Sequence, residues 1–142
     1  MNEIRALSPE EQLAIIQSLD MDELEREMAL MPQAPVETFH TFGPGVYFRE
    51  AHFPAGSFVL GHKHLKSTMN MVIKGDIAVV HDGGISLLQA PFMFESVPGR
   101  KLAYVLTDTV WVNVIPTELT DVAEIENQFI EKLPPVALEG PK

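Results

Sequence analysis

The chain contains no cysteine. Disulfides, thiolate metal sites and thiol nucleophiles are excluded together, and the lack fits a reducing compartment. Long apolar runs are missing as well. None approaches the roughly 20 residues that a membrane helix needs, and no charged-then-apolar leader opens the chain. The expectation is a soluble cytoplasmic protein without a membrane partner. Basic residues are scarce, with 10 Lys and Arg against 20 Asp and Glu, a net charge of −10. The deficit is uneven: residues 1–31 hold eight acids against Arg5 and Arg26, residues 117–142 hold six against Lys132 and Lys142, and residues 32–116 balance six against six. Most of such a surface repels nucleic acid and anionic membrane. No G-x-S-x-G elbow, phosphate-binding glycine loop or H-E-x-x-H motif occurs, so hydrolase and NTPase readings have no support.

What is present is enough for one domain with a core: 142 residues, 46% of them apolar. Ser8, Pro9 and Glu11 form a helix start with a capping box, and Leu13 and Ile16 mark its apolar face. A second start lies at Asp20, followed by Leu24, Met28 and Met31 at helical spacing and ended by Pro32. From Pro32 to Pro116 the period changes to two, punctuated by Gly and Pro. Strands are expected over Val36–Phe42, Val46–Phe53, Ser57–His64, Thr68–Lys74, Asp76–His81, Ile85–Gln89, Phe92–Ser96, Leu102–Leu106 and Val110–Ile115. Such short, regularly spaced strands are the signature of a sandwich or barrel. Thr120 and Asp121 open a last helix with Val122, Ile125, Phe129 and Ile130 on one face, and the tail beyond Pro134-Pro135 reads as loose. The organisation is then a helical extension over 1–33, a β unit over 34–116, and a helix and tail over 117–142.

His62 and His64 alternate with Lys63, so on a strand both imidazoles leave one face about 6–7 Å apart and can share an ion. Gly56, five residues, His62-Lys63-His64, three residues, Thr68, six residues and Gly75 follow in turn. This spacing resembles the first motif of the cupin family, G-x5-H-x-H, three or four residues, E-x6-G, with Thr68 in place of the glutamate. The second motif, G-x5-P-x-G-x2-H-x3-N, is matched weakly. Pro91, Val97, Gly99, Leu102 and Leu106 occupy its positions, and a proline arrives one residue late as Pro98. The resemblance covers residues 45 to 116. A vaguer similarity, through Asp108-Thr109-Val110-Trp111 and the acidic helix after it, links the chain to short cupin-like proteins of bacteriophages.

The resemblance implies a mainly β fold: a single cupin-type antiparallel β-barrel, a double-stranded β-helix or jelly roll. Two N-terminal helices and one C-terminal helix flank it. A homodimer is also implied, for which the apolar faces of the N-terminal helices give a second reason. The implied metal site is His62, His64 and Thr68 around one divalent ion, Mn, Fe, Ni or Zn. Thr68 brings no charge to it, and Leu102 cannot ligate. Asn70, two residues on from Thr68, faces the same way and could add a carbonyl oxygen. Equally, His62 and His64 are pocket histidines of a barrel without metal. Arg100, Lys101 and Tyr104 beside the second motif suit a small anion, a carboxylate or phosphate. Glu50 and Glu95 are the acids that alternation could turn inward for acid–base work. Trp111 in a Val-rich strand reads as core. Three functions stay open: a small-molecule-binding protein with a degenerate metal site, a metal-dependent oxygenase or isomerase, and a phage-type structural or interaction protein.

Overall fold

A computed structural model of the chain describes residues 20–61, 64–81, 84–96, 101–130 and 136–138. The helix expected after Ser8 lies outside them, as do His62, Lys63 and Arg100. The first described element is α1, Met21–Met28, capped by Asp20, whose carboxylate accepts from the backbone N–H groups of Asp22 and Glu23. This is the second helix start read from the sequence. Its apolar face does not wait for a second subunit: Leu24 and Met28 pack on Leu60 of the same chain. Met31, placed on that face by spacing, is 50% exposed because the helix has already ended.

Among the described residues ten strands follow: β1 Glu37–Gly43, β2 Val46–Phe53, β3 Phe58–Leu60, β4 Thr68–Lys74, β5 Asp76–His81, β6 Gly84–Gln89, β7 Phe92–Ser96, β8 Leu102–Val105, β9 Thr109–Pro116 and β10 Val136–Leu138. Between β9 and β10 lies α2, Val122–Phe129, capped by Asp121. Every paired strand is antiparallel. They form two five-stranded sheets, ordered β1-β2-β9-β4-β7 and β10-β3-β8-β5-β6. The fold is therefore mainly β with two helices among the described residues. None of these helices is long and apolar enough to cross a membrane.

Two expectations need correction. Strand β3 stops at Leu60 instead of running to His64, and His64 is held by an isolated bridge to Ile130. Its neighbour Leu65 donates its N–H to the Phe129 carbonyl at 2.8 Å. The tail is not loose throughout, since Val136–Leu138 pairs with β3 and gives that strand a second neighbour. An unpaired strand edge would leave a row of backbone groups to water, and the short tail strand closes that row.

The core fills the space between the sheets. Val72 from the first sheet meets Val59, Ile77, Val79, Ala103 and Val105 from the second, with Phe53, Phe94 and Trp111 against them. A second cluster, Tyr47, Ile115, Ile125 and Phe129, seats α2 on the β2–β9 pair. Gly75 turns the chain from the first sheet into the second at φ +87°, and a Cβ there would collide with the Asp108 carbonyl oxygen. Only glycine suits that corner.

Candidate ligand cavity

Residues paired across neighbouring strands share a face of their sheet. Arg49 on β2 pairs with Asn113 on β9, which pairs with Asn70 on β4. The three polar side chains therefore stand in a row across the inner face of the first sheet. The next row inward is Ala51, Trp111 and Val72. On the second sheet, Val59, Ala103 and Val79 pair in one row, and the Gly61 N–H reaches the Lys101 carbonyl at 3.1 Å just beyond it. These rows enclose a cavity of about 360 Å³, lined also by Gln33, Thr38, His64, Ser96, Phe53 and Ile77.

The charges on this lining are all of one sign. Arg49 and Lys101 face the cavity, and no Asp or Glu lines it among the described residues. Neither cation has an ion-pair or hydrogen-bond partner for its charged end among the described residues. Burial pushes the Arg49 guanidinium below its ordinary pKa, against a weaker opposite pull from Tyr47 and Glu126. Glu126 on α2 shares a small second pocket with Arg49, beyond the polar row. Burial alone lowers Lys101. Partial desolvation makes each cation costly to hold, a cost that a bound anion would offset.

The amides of the row are already occupied with one another. Asn70 Oδ1 accepts from Trp111 Nε1 at 3.0 Å and from Asn113 Nδ2, while Asn70 Nδ2 donates to Ser96 Oγ at 2.8 Å and to the Thr68 carbonyl at 3.2 Å. Thr68 Oγ1 lies 3.3 Å from Ser96 Oγ. Asn70 is thus the buried hub that fixes Trp111, Asn113 and Ser96 in place.

The residues singled out in the sequence divide accordingly. Asn70, His64 and Lys101 line the cavity. Thr68 is buried on the same face of β4 as Asn70, but its hydroxyl is turned to Ser96. Tyr104 is not among the lining residues. It pairs with Phe58, and the two rings pack at 4.8 Å on the other face of β8. Leu102 shares that face and packs with Leu60 and Met28. The inward positions of β8 are Ala103 and Val105, both packed in the core between the sheets. Glu50 also turns outward, bonded to His52 Nε2 at 2.6 Å, and Glu95 is exposed. Trp111 belongs both to the core and to the cavity wall. Sequence reasoning passed over Arg49 and Asn113. The signal was there for Arg49: it shares a strand face with Tyr47, Ala51 and Phe53, the one charge among them.

A divalent ion, as the family resemblance implies, does not suit the described donors. No three His, Asp or Glu side chains come together among the described residues. Asn70 Oδ1 already accepts two hydrogen bonds, and Arg49 and Lys101 would repel a cation in the same space.

No family model and no curated protein matches the chain. Solved structures do. An ectoine synthase from P. lautus is 14% identical over 98% of this chain and 93% of its own, with a TM-score of 0.58. A salicylate 1,2-dioxygenase from Pseudaminobacter salicylatoxidans is 18% identical over 84% of this chain and 34% of its own, at 0.52. A cupin superfamily protein from Desulfitobacterium hafniense is 12% identical over 64% of this chain and 87% of its own, at 0.50. None of the three is a phage protein. At these identities the likeness speaks for architecture alone, and with the two facing antiparallel sheets and the H-x-H spacing it gives one result: the fold of this chain is the cupin fold.

Proposed function

We propose that the protein binds a small anionic molecule, a carboxylate or phosphate, inside its cavity. The observation that carries this reading is the pair of partly buried cations, Arg49 and Lys101, lining one cavity that no acidic residue lines among the described residues. Each is partly desolvated and has no ion-pair partner among the described residues, so each gains from an anion supplied from outside. The volume, about 360 Å³, falls in the range of small-molecule sites, and the mixture of an apolar wall with a few polar groups is that of such sites in general. Titration calorimetry of the full chain with a panel of small carboxylates and inorganic phosphate tests it. Saturable binding is expected for at least one member, weakened about 10- to 100-fold in Arg49→Gln, the loss of one charge-assisted contact. Equal affinity in wild type and Arg49→Gln would reject the reading.

The catalytic alternative, a metal-dependent oxygenase or isomerase, rests on the spacing of His62 and His64 and on the dioxygenase and synthase of like fold. Elemental analysis of protein purified without chelator, beside the His62→Ala/His64→Ala double variant, separates the two. Near-stoichiometric metal that disappears in the variant would replace the binding reading with the catalytic one. Metal-free protein that also fails to take up Mn, Fe, Ni or Zn would remove the alternative.

A further inference from the structure

We infer that the ligand is amphipathic: one anionic head with an apolar body, a molecule of the aryl- or alkyl-carboxylate class. The inference rests on the anion-binding reading above and adds where each part of the ligand lies. It comes from how polarity is distributed along the cavity. Chain direction fixes the two ends. Strand β2 runs from Arg49 to Phe53, turns through residues 54–57, and returns on the opposite sheet through Val59 to Gly61. Arg49 on one sheet and Gly61 with its partner Lys101 on the other therefore both lie at the end away from that turn. The two cations converge on one end of the space, which suits a single head better than two heads at opposite ends.

Toward the turn the wall changes character. Ala51, Trp111 and Phe53 on the first sheet face Val59, Ala103 and Ile77 on the second. Two residues there carry a polar side-chain atom: Trp111, whose N–H is already given to Asn70 Oδ1 at 3.0 Å, and Thr38, which stands beside Ala51 on the edge strand β1 with a single hydroxyl. The Trp111 indole shows the cavity a hydrocarbon face. A ligand whose far end carried an ammonium or a second carboxylate would find no counter-charge in this wall among the described residues, and an unpaired desolvated charge is costly. A hydrocarbon body meets no such penalty and gains from burial. The volume corresponds to about a dozen water molecules, room for a short chain or one aromatic ring with its head group.

Trp111 is the only tryptophan in the chain, which makes its emission a clean reporter of the apolar end. Fluorescence and calorimetric titrations of the full chain use four probes: phenylbutyrate, octanoate, adipate as a dianion of similar length, and phenylbutyramide as the uncharged counterpart. Phenylbutyrate and octanoate are expected to bind and to perturb Trp111 emission, with adipate and phenylbutyramide at least about tenfold weaker. Ala103→Leu, which narrows the apolar end, is expected to weaken phenylbutyrate by a similar factor, with circular dichroism verifying its fold. Arg49→Gln serves as the second variant, acting on the head instead of the body. Adipate binding more tightly than phenylbutyrate would overturn the amphipathic assignment and leave the anion reading standing. No carboxylate binding at millimolar concentration would overturn the amphipathic assignment, and phenylbutyramide matching phenylbutyrate, or no binding of inorganic phosphate either, would overturn both.

Discussion

On the proposed reading Lys101 costs the ligand-free protein stability and serves the anion-bound one, which separates its two effects experimentally. Its ammonium group is desolvated and has no counter-ion among the described residues. Lys101→Met keeps most of the volume and removes the charge. The expected result in urea unfolding is a gain of about 1 kcal/mol for the ligand-free protein, with a simultaneous loss of anion affinity of about tenfold. A destabilised variant with unchanged affinity would show that Lys101 is structural. The pH dependence has a definite sign. Because burial holds the folded pKa below the unfolded one, folding and protonation compete: Lys101 weakens the fold at neutral pH, and the penalty is relieved as pH rises from the folded toward the unfolded value. Anion affinity moves the other way over the same alkaline window, falling as Lys101 loses its proton while Arg49 stays charged. At this scale the sequence was only partly legible. In β8 the Leu102, Tyr104 and Leu106 positions look like the core face and Lys101, Ala103 and Val105 like the solvent face. Both faces are in fact covered, since α1 lies over Leu102 and Leu60 while Lys101 and Ala103 turn to the cavity. Alternation alone cannot choose between two buried faces.

Among the elements, the turns were the most legible part, because their glycines carry a stereochemical demand that can be read without neighbours. Asp82-Gly83-Gly84 is a hairpin signal, and β5 and β6 pair antiparallel from Asp76 with Gln89 to His81 with Gly84. Gly56 and Gly75 of the first motif both adopt positive φ, at +83° and +87°, but their surroundings differ. A Cβ on Gly56 would meet nothing within 4 Å, whereas on Gly75 it would meet the backbone of Asp108 and Thr109. Gly56→Ala should therefore cost only the backbone strain, about 1–2 kcal/mol. Gly75→Ala should cost about 3 kcal/mol or more, since the strain is joined by a collision with backbone that cannot swing aside. Thermal or denaturant unfolding of the two variants checks the order, and equal losses would mean that the corner between the sheets yields easily. The tail strand was illegible for a complementary reason. Val136–Leu138 is three residues long after a Pro-Pro pair, too short to show a period, and its identity comes entirely from pairing with β3.

For the molecule as a whole, outer and inner electrostatics oppose each other. The chain carries −10 overall, with the excess in its two flanks, while its cavity presents cations. An anion on its way in is repelled over the surface and attracted only at close range. Added salt screens the long-range part first, with a Debye length near 10 Å at 0.1 M, and leaves the buried contacts nearly untouched. The association rate of an anionic ligand, followed by stopped-flow Trp111 emission, should rise several-fold between about 0.01 and 0.1 M salt, with a much smaller change in the dissociation rate. A falling association rate would place the opening of the cavity in a locally positive field.

One contact reaches further than its size suggests. The segment that follows β3, with His64 and Leu65, takes its backbone partners from Ile130 and Phe129, and β3 itself takes its edge partner from residues 136–138. Partners of the early chain are thus supplied by its last stretch, some 65 residues later for Leu65 and Phe129. On a ribosome, where folding proceeds from the N-terminus, this end of the cavity has no finished wall until residues 129–138 have emerged. The nascent chain can assemble its central strands early, but the cavity closes only after those later residues join it.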